Sequence, residues 1–94
     1  MSILSFHCKD TRQLFDGDAP KRFKNIQTVA ERKLHMLNSA VALGDLRAPP
    51  ANRLESLSGD RAGQYSIRIN DQWRICFKWT STGVTDVEIV DYHK

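Results

Sequence analysis

Cysteine is scarce in this chain: Cys8 and Cys76 are the two in 94 residues, one toward each end. No C-x-x-C pair and no His/Cys cluster occurs, so the ligand spacing of a structural zinc site is missing. A single disulfide is the one pairing open to them. The N-terminus, however, has no basic segment followed by a long apolar run, and nothing suggests secretion. Both are read as small, mostly buried thiols. Long apolar runs are also lacking. None approaches the ~20 residues that a membrane-spanning helix needs, so a soluble, cytoplasmic protein with no membrane partner is expected. Internal repeats and low-complexity stretches are absent too.

What is present fits one domain spanning residues 1–94, because chains this short rarely divide their core. A chain of this length buries only about 60–70% of the surface its unfolded form exposes. That allows one sheet with helices on one face and leaves no room for a second core. Ordinary hydrophobic content argues against disorder. The net charge of +3 and pI near 9.1 are a mild basic bias, compatible with a nucleic-acid partner and not diagnostic of one.

Residues 2–8 alternate, with Leu4, Phe6 and Cys8 on one side, and read as a strand. Asp10 followed by Gln13 resembles a capping box for a short helix through Leu14 and Phe15, stopped by Gly17. The segment 17–24 reads as a turn-rich basic loop containing Lys21, Arg22 and Lys24. Ile26, Val29, Ala30, Leu34, Leu37, Ala40 and Val41 then mark one face of a helix, with Glu31, Arg32, His35 and Asn38 opposite. Gly44 is expected to end it, and Pro49-Pro50 forbid continuation. A surface loop with Arg47 follows, reaching Arg53 at its far edge. The remainder reads as a β-meander: strands at 53–58, 64–69, Trp73–Trp79 and 84–92, with a turn at 59–63. The sum is an α+β domain of order β-α-α-β-β-β-β, two N-terminal helices packed on one face of a largely antiparallel sheet.

The central hairpin carries the most geometry. Tyr65, Ile67 and Ile69 on one strand, and Trp73, Ile75, Phe77 and Trp79 on the next, are all odd-numbered. For both sets to face the core, odd must pair with odd. A three-residue loop, Asn70-Asp71-Gln72, then sets Arg68 opposite Arg74 on the other face. Like charges so placed oppose folding by roughly 0.2–1 kcal/mol. The next turn, Ser81-Thr82-Gly83, has glycine at the left-handed position of a three-residue loop. That register aligns Cys76 with Glu88, Arg74 with Val90 and Gln72 with Tyr92. Arg68, Arg74 and Tyr92 therefore share one open face. Two guanidiniums side by side would seat a phosphate. The plainer alternative is that both are solvated, or neutralised by Glu88 or Asp86. Asp91-Tyr92-His93 adds a titratable cluster at a strand end, where histidine can act as general acid or base. A frayed terminus is the competing reading.

With these residues in hand, the chain resembles HigB-type toxins of the RelE/ParE superfamily. The resemblance is carried by the continuous block from Gly59 to Ile75, which includes Gly63-Gln64-Tyr65 and Trp73-Arg74-Ile75, and by Val87-Glu88-Ile89-Val90-Asp91-Tyr92-His93. It extends to the Glu31-Arg32-Lys33-Leu34 helix segment and the Pro49-Pro50 loop, so it covers essentially the whole chain. It implies a RelE-like fold and a metal-free, cofactor-free ribonuclease acting on mRNA in the ribosomal A site. There the RNA's own 2′-hydroxyl attacks the adjacent phosphate and the 5′-oxygen leaves. By matching positions, Arg74 resembles the arginine that stabilises the transition state. Asp91, Tyr92 and His93 resemble the C-terminal catalytic trio, with His93 the proton shuttle. Glu55 stands where some relatives have histidine and Ser58 where they have lysine. Glu55 is an available base but supplies no positive charge. Arg61 and Arg68, with Arg53 and Lys78, are the candidate RNA- and phosphate-binding residues.

The same resemblance implies an antitoxin partner with a helix-turn-helix domain, HigA-like, in a heterotetramer that meets operator DNA through the antitoxin. The other partners it implies are the ribosome and mRNA. Two further readings belong beside it. One is a non-catalytic growth inhibitor, either gyrase-binding like the ParE branch or acting on the ribosome without cleavage. The other is a plain RNA-binding module, which the core placement of Tyr65, Trp73, Phe77 and Trp79 disfavours.

Overall fold

The computed structural model describes residues 1–92. Two helices, α1 (Lys9–Phe15) and α2 (Gln27–Ser39), precede four antiparallel strands: β1 (Glu55–Ser56), β2 (Tyr65–Arg68), β3 (Trp73–Trp79) and β4 (Val84–Asp91). The strands lie side by side in chain order. The architecture is the expected α+β one, except that the N-terminal segment is not a strand and the strand expected at 53–58 shrinks to Glu55–Ser56, Arg53 being left-handed.

The N-terminal segment touches β4 through two isolated parallel bridges, Ile3 to Val84 and Phe6 to Val87. The three-residue step puts Ile3 and Phe6 against the core, while Leu4 is 55% exposed. The cause lies in β4, where Asp86 takes a left-handed conformation (φ 54°) and interrupts the ladder. Side chains fill the gap: Ser5 Oγ accepts the Asp86 N–H at 2.9 Å, and Asn38 Oδ1 accepts that of Ile3 at 2.9 Å.

α1 begins at Lys9 with no side-chain cap, so the expected capping box is not formed. Asp10 instead lies in the first turn, where the helix dipole favours a carboxylate, and meets Arg22 at 3.5 Å. Gly17, at φ 101°, closes the helix as expected. Segment 17–24 is less loose than a basic loop suggests. Lys21–Phe23 forms a 3₁₀ turn with Phe23 fully buried, its ring edge-on to Trp73 at 5.6 Å.

α2 buries Ala30, Leu34 and Leu37, but it ends at Ser39 rather than at Gly44. Val41, assigned to the apolar face, is 80% exposed. A 3₁₀ turn, Leu43–Arg47, follows, and the Asp45 carboxylate accepts the N–H groups of Val41 and Ala42 at 3.0 Å each. Those two bonds favour the ionised form and hold the Asp45 pKa below the ordinary carboxylate range. Leu46 thereby enters the core.

β2 and β3 pair in the expected register, Ile67 with Ile75 and Arg68 with Arg74. At the β3–β4 turn the loop has four residues rather than three, since Trp79 pairs with Val84. Gly83 is not in the left-handed region. Its lack of a side chain serves close approach, because a Cβ there would stand 2.6 Å from Leu4 Cγ and 2.7 Å from the Ser2 carbonyl. The extra residue is absorbed by a bulge that sets Asp86 and Val87 against Phe77. Beyond it the ladder returns to Cys76 with Glu88 and Arg74 with Val90, the alignment expected for a different reason.

Candidate functional site

Alternation along β3 sends Ile75 and Phe77 toward the helices and Arg74, Cys76 and Lys78 to the opposite face. That opposite face is not open at its centre. Arg74 is only 8% exposed, and Ser66 and Cys76 are fully buried. The cover comes from the chain between Arg53 and Gln64 and from the ring of Tyr92.

Arg74 is fixed on three sides. Its Nε donates to Ser66 Oγ at 2.8 Å, and its Nη2 donates to the Arg53 carbonyl at 2.7 Å. The Tyr92 ring centroid lies 5.5 Å from its Cζ, a cation–π contact. Glu55 Oε2 stands 3.8 Å from Nη2 and is half-exposed. A neutral hydroxyl and a carbonyl orient the guanidinium without cancelling its charge. Among the described residues Nη1 carries no hydrogen bond. The arrangement is a preorganised cation with donors to spare beside a phenol and a carboxylate.

Arg53 owes its part to backbone geometry. It caps the Pro50–Asn52 3₁₀ turn in a left-handed conformation (φ 45°, ψ 59°), which turns its carbonyl onto Arg74. Its own side chain is exposed. The turn is anchored by Asn52, buried, whose Nδ2 donates to the carbonyls of Leu46 (3.1 Å) and Ala48 (3.2 Å). Asn52 Oδ1 accepts from Lys33 Nζ at 2.6 Å.

The remaining candidates disperse. Arg68 is paired opposite Arg74, but its guanidinium closes on Asp71 in the hairpin loop while Arg74 turns toward Arg53 and Glu55. The joint phosphate seat of two guanidiniums is therefore not formed. Arg61 lies 3.3 Å from Glu88 and 3.2 Å from Gln64, roofing Cys76. Lys78 meets Asp86 at 3.3 Å. So Glu88 and Asp86 do neutralise basic groups, though neither neutralises Arg68 or Arg74. Asp91 accepts from Gln72 Nε2 at 3.1 Å, and the Tyr92 N–H donates to the Gln72 carbonyl at 2.5 Å, as the expected alignment required. His93, the expected proton shuttle, lies outside the described residues. The site brings together Arg74, Glu55, Tyr92 and the Arg53 carbonyl, and leaves Arg61, Arg68 and Lys78 in separate ion pairs.

Sequence reasoning overlooked Lys33, Asn52 and Ser66, while of the two cysteines read as mostly buried thiols Cys76 is buried and Cys8 only partly covered. Lys33 had a signal: it falls on the i, i+3, i+4 stripe with Ala30, Leu34 and Leu37, where a charged residue needs a reason. Burial, with Arg32 and Arg68 nearby, lowers its pKa from the usual lysine value. Burial raises that of Cys76, with Arg61 and Arg74 opposing and Glu88 reinforcing.

The chain is similar to known proteins over nearly its whole length. The profile of a family described as a RelE-like toxin of type II toxin–antitoxin system HigB matches residues 4–93. Toxin HigB-1 of Vibrio cholerae serotype O1 is 40% identical over 93 residues, with 97% of each chain covered. Endoribonuclease HigB of Proteus vulgaris is 28% identical over 93 residues, covering 97% of this chain and 99% of that one. In three dimensions the chain is similar to a chain of the heterotetrameric YoeB–YefM toxin–antitoxin complex of Staphylococcus aureus. There the TM-score is 0.62 at 16% identity, with 100% of both chains covered, a likeness of fold alone. With a family profile matched almost end to end and a relative at 40% identity over nearly the full length, this chain belongs to the HigB family of RelE-like toxins of type II toxin–antitoxin systems.

Proposed function

We propose that the protein is the endoribonuclease of its toxin–antitoxin pair, cutting mRNA in the ribosomal A site without a metal ion. The observation that carries the reading is Arg74, a nearly buried guanidinium whose Nη1 has no hydrogen-bond partner among the described residues, held against Tyr92 and 3.8 Å from Glu55. In-line attack of a 2′-hydroxyl on the neighbouring phosphorus builds negative charge on the phosphoryl oxygens. A preoriented cation in a water-poor setting stabilises that charge. The P–O5′ bond breaks as the 2′-oxygen bonds to phosphorus, leaving a 2′,3′-cyclic phosphate and a 5′-hydroxyl. One group must take the 2′ proton and another must give one to the 5′-oxygen. Glu55, half-exposed with Oε2 3.8 Å from Arg74 Nη2, suits the first role. His93, with Tyr92 and Asp91 beside it in sequence, suits the second. Arg53, whose side chain is exposed, extends the positive charge along the RNA path, whereas Arg61, Arg68 and Lys78 are each paired with a carboxylate. A named relative is an endoribonuclease, which supports the same chemistry here. The partner is an antitoxin of the HigA type carrying a helix-turn-helix, assembled as a heterotetramer in the cytoplasm.

The test is induction of the toxin in cells whose translated messages are mapped by primer extension. Wild-type protein should arrest growth and leave breaks within A-site codons. Arg74→Ala should lower cleavage by about 10²–10³-fold, the usual cost of removing one transition-state donor. Undiminished cleavage by an Arg74→Ala, His93→Ala double variant would remove the assignment. Growth arrest with intact messages and blocked DNA supercoiling would move it to the gyrase-binding branch.

A further inference from the structure

One charged group in the core has no part in the chemistry above. Lys33 sits on the buried stripe of α2 and is 6% exposed. A methionine of the same length would fill the same space without desolvating a charge. The ammonium must therefore do something an apolar chain would not. It donates to Asn52 Oδ1 at 2.6 Å and to the Arg68 carbonyl at 2.9 Å.

Those two acceptors flank Arg74. Arg68 is its cross-strand partner on β2. Asn52 is the last residue of the turn that presents the Arg53 carbonyl to Nη2. Arg53 is a non-glycine residue in the left-handed region, a conformation that persists only where its surroundings impose it. On one side the imposing group is Arg74 itself. On the other it is Asn52, whose amide is saturated by Leu46, Ala48 and Lys33. Without Lys33, Asn52 Oδ1 would be buried with no donor among the described residues, and the turn would have reason to rearrange.

We propose that Lys33 is a positioning residue for Arg74: its ammonium ties α2 to β2 and to the Pro50–Asn52 turn, so that the Arg53 carbonyl stays where Arg74 Nη2 can donate to it. Lys33 touches no substrate and acts through Asn52 and Arg53. The consequence for cleavage rests on the assignment of Arg74 as the reacting cation. The consequence for the geometry of Arg74 does not.

The experiment uses the full chain with Lys33→Met, and reads Arg74 directly. Its Nε–H is buried and bonded to Ser66, so its ¹⁵N–¹H resonance should exchange slowly with water in the wild type. In Lys33→Met that exchange should accelerate on the order of tenfold, while the amides of Ile67 and Ile75 keep their protection. Ribosome-programmed cleavage should fall by a similar factor in kcat with KM unchanged. Wild-type exchange at Arg74 Nε in folded Lys33→Met overturns the proposal. Accelerated exchange with cleavage unchanged in both Lys33→Met and Arg74→Lys upholds the positioning and overturns the catalytic assignment instead. If Lys33→Met does not fold, the wild type decides. The Lys33 ammonium protons and Arg74 Nε–H should then open together across low urea concentrations, and independent opening refutes the link.

Discussion

At its centre β3 is closed to water on both faces, and each is closed by different physics. Toward the helices, Ile75 and Phe77 are buried among Leu34, Leu37 and Ile67. Toward the loop, Arg74 and Cys76 are buried beneath Arg61, Glu88, Tyr92 and the Arg53 carbonyl. The first face is held by apolar area, which is non-directional and tolerant of detail. The second is held by a handful of directional bonds, each with a named donor and acceptor. A molecule built this way can keep its fold on one side of a strand and its chemistry on the other.

The largest effect should come from the apolar face. Phe77 is fully buried and stacked on Tyr65 at 6.2 Å between centroids. Phe77→Ala should cost about 3–5 kcal/mol in urea unfolding. It also lies at the bulge, opposite Asp86 and Val87, so part of that loss should reflect a ladder that no longer kinks where it must. A loss under about 1 kcal/mol would mean that this face is not the main source of stability.

The same division explains what could be read in advance. Strand β3, Trp73–Trp79, is legible to the residue, because four odd apolar positions leave no other solution. The pairing of Arg68 with Arg74 followed from it. The alignment of Arg74 with Val90 emerged from two compensating errors, a loop one residue too short and an unseen bulge at Asp86. What failed is what depends on partners distant in the chain. Alternation says that Arg74 leaves the helix side. It does not say that residues 53–64 fold back over it. Phe23 looked like a loop residue because no local period marks a lone aromatic that plugs the core beside Trp73. Lys33 broke the apolar stripe of α2, and its partner, Asn52, lies 19 residues away.

A smaller effect belongs to the polar face. Arg61 and Glu88 are partly buried, with side chains 33% and 22% exposed, and together they roof Cys76. Neutralising one partner leaves the other charged and half-desolvated. Glu88→Gln should therefore cost about 1 kcal/mol, near the upper end for exposed pairs and well short of a fully buried one. The loss should shrink as salt is added, whereas the Phe77→Ala loss should not. Equal salt response in the two variants would show that the polar face is held by packing after all.

The smallest effect reads the burial of that face without changing its charges. Burial pushes the Cys76 thiol above its ordinary pKa, so the fold favours the neutral form. An acid whose pKa is raised on folding contributes stability that is fully present below the unfolded value. That stability is lost as pH rises from the unfolded value through the folded one. The window therefore opens in the mildly alkaline range, where free thiols ionise at about pH 8.5. Melting temperatures measured between pH 7 and pH 10 should fall less steeply in Cys76→Ala than in the wild type. Thiol labelling gives the kinetic counterpart. Cys8, only partly covered and 3.9 Å from Arg22 Nη1, should react first. Cys76 should react only through opening of the Arg61–Glu88 roof, so Glu88→Gln should accelerate its labelling while leaving Cys8 unchanged. If Phe77→Ala speeds Cys76 labelling and Glu88→Gln does not, the thiol is reached by unfolding from the helix side, and the polar cover is not the barrier the geometry makes it.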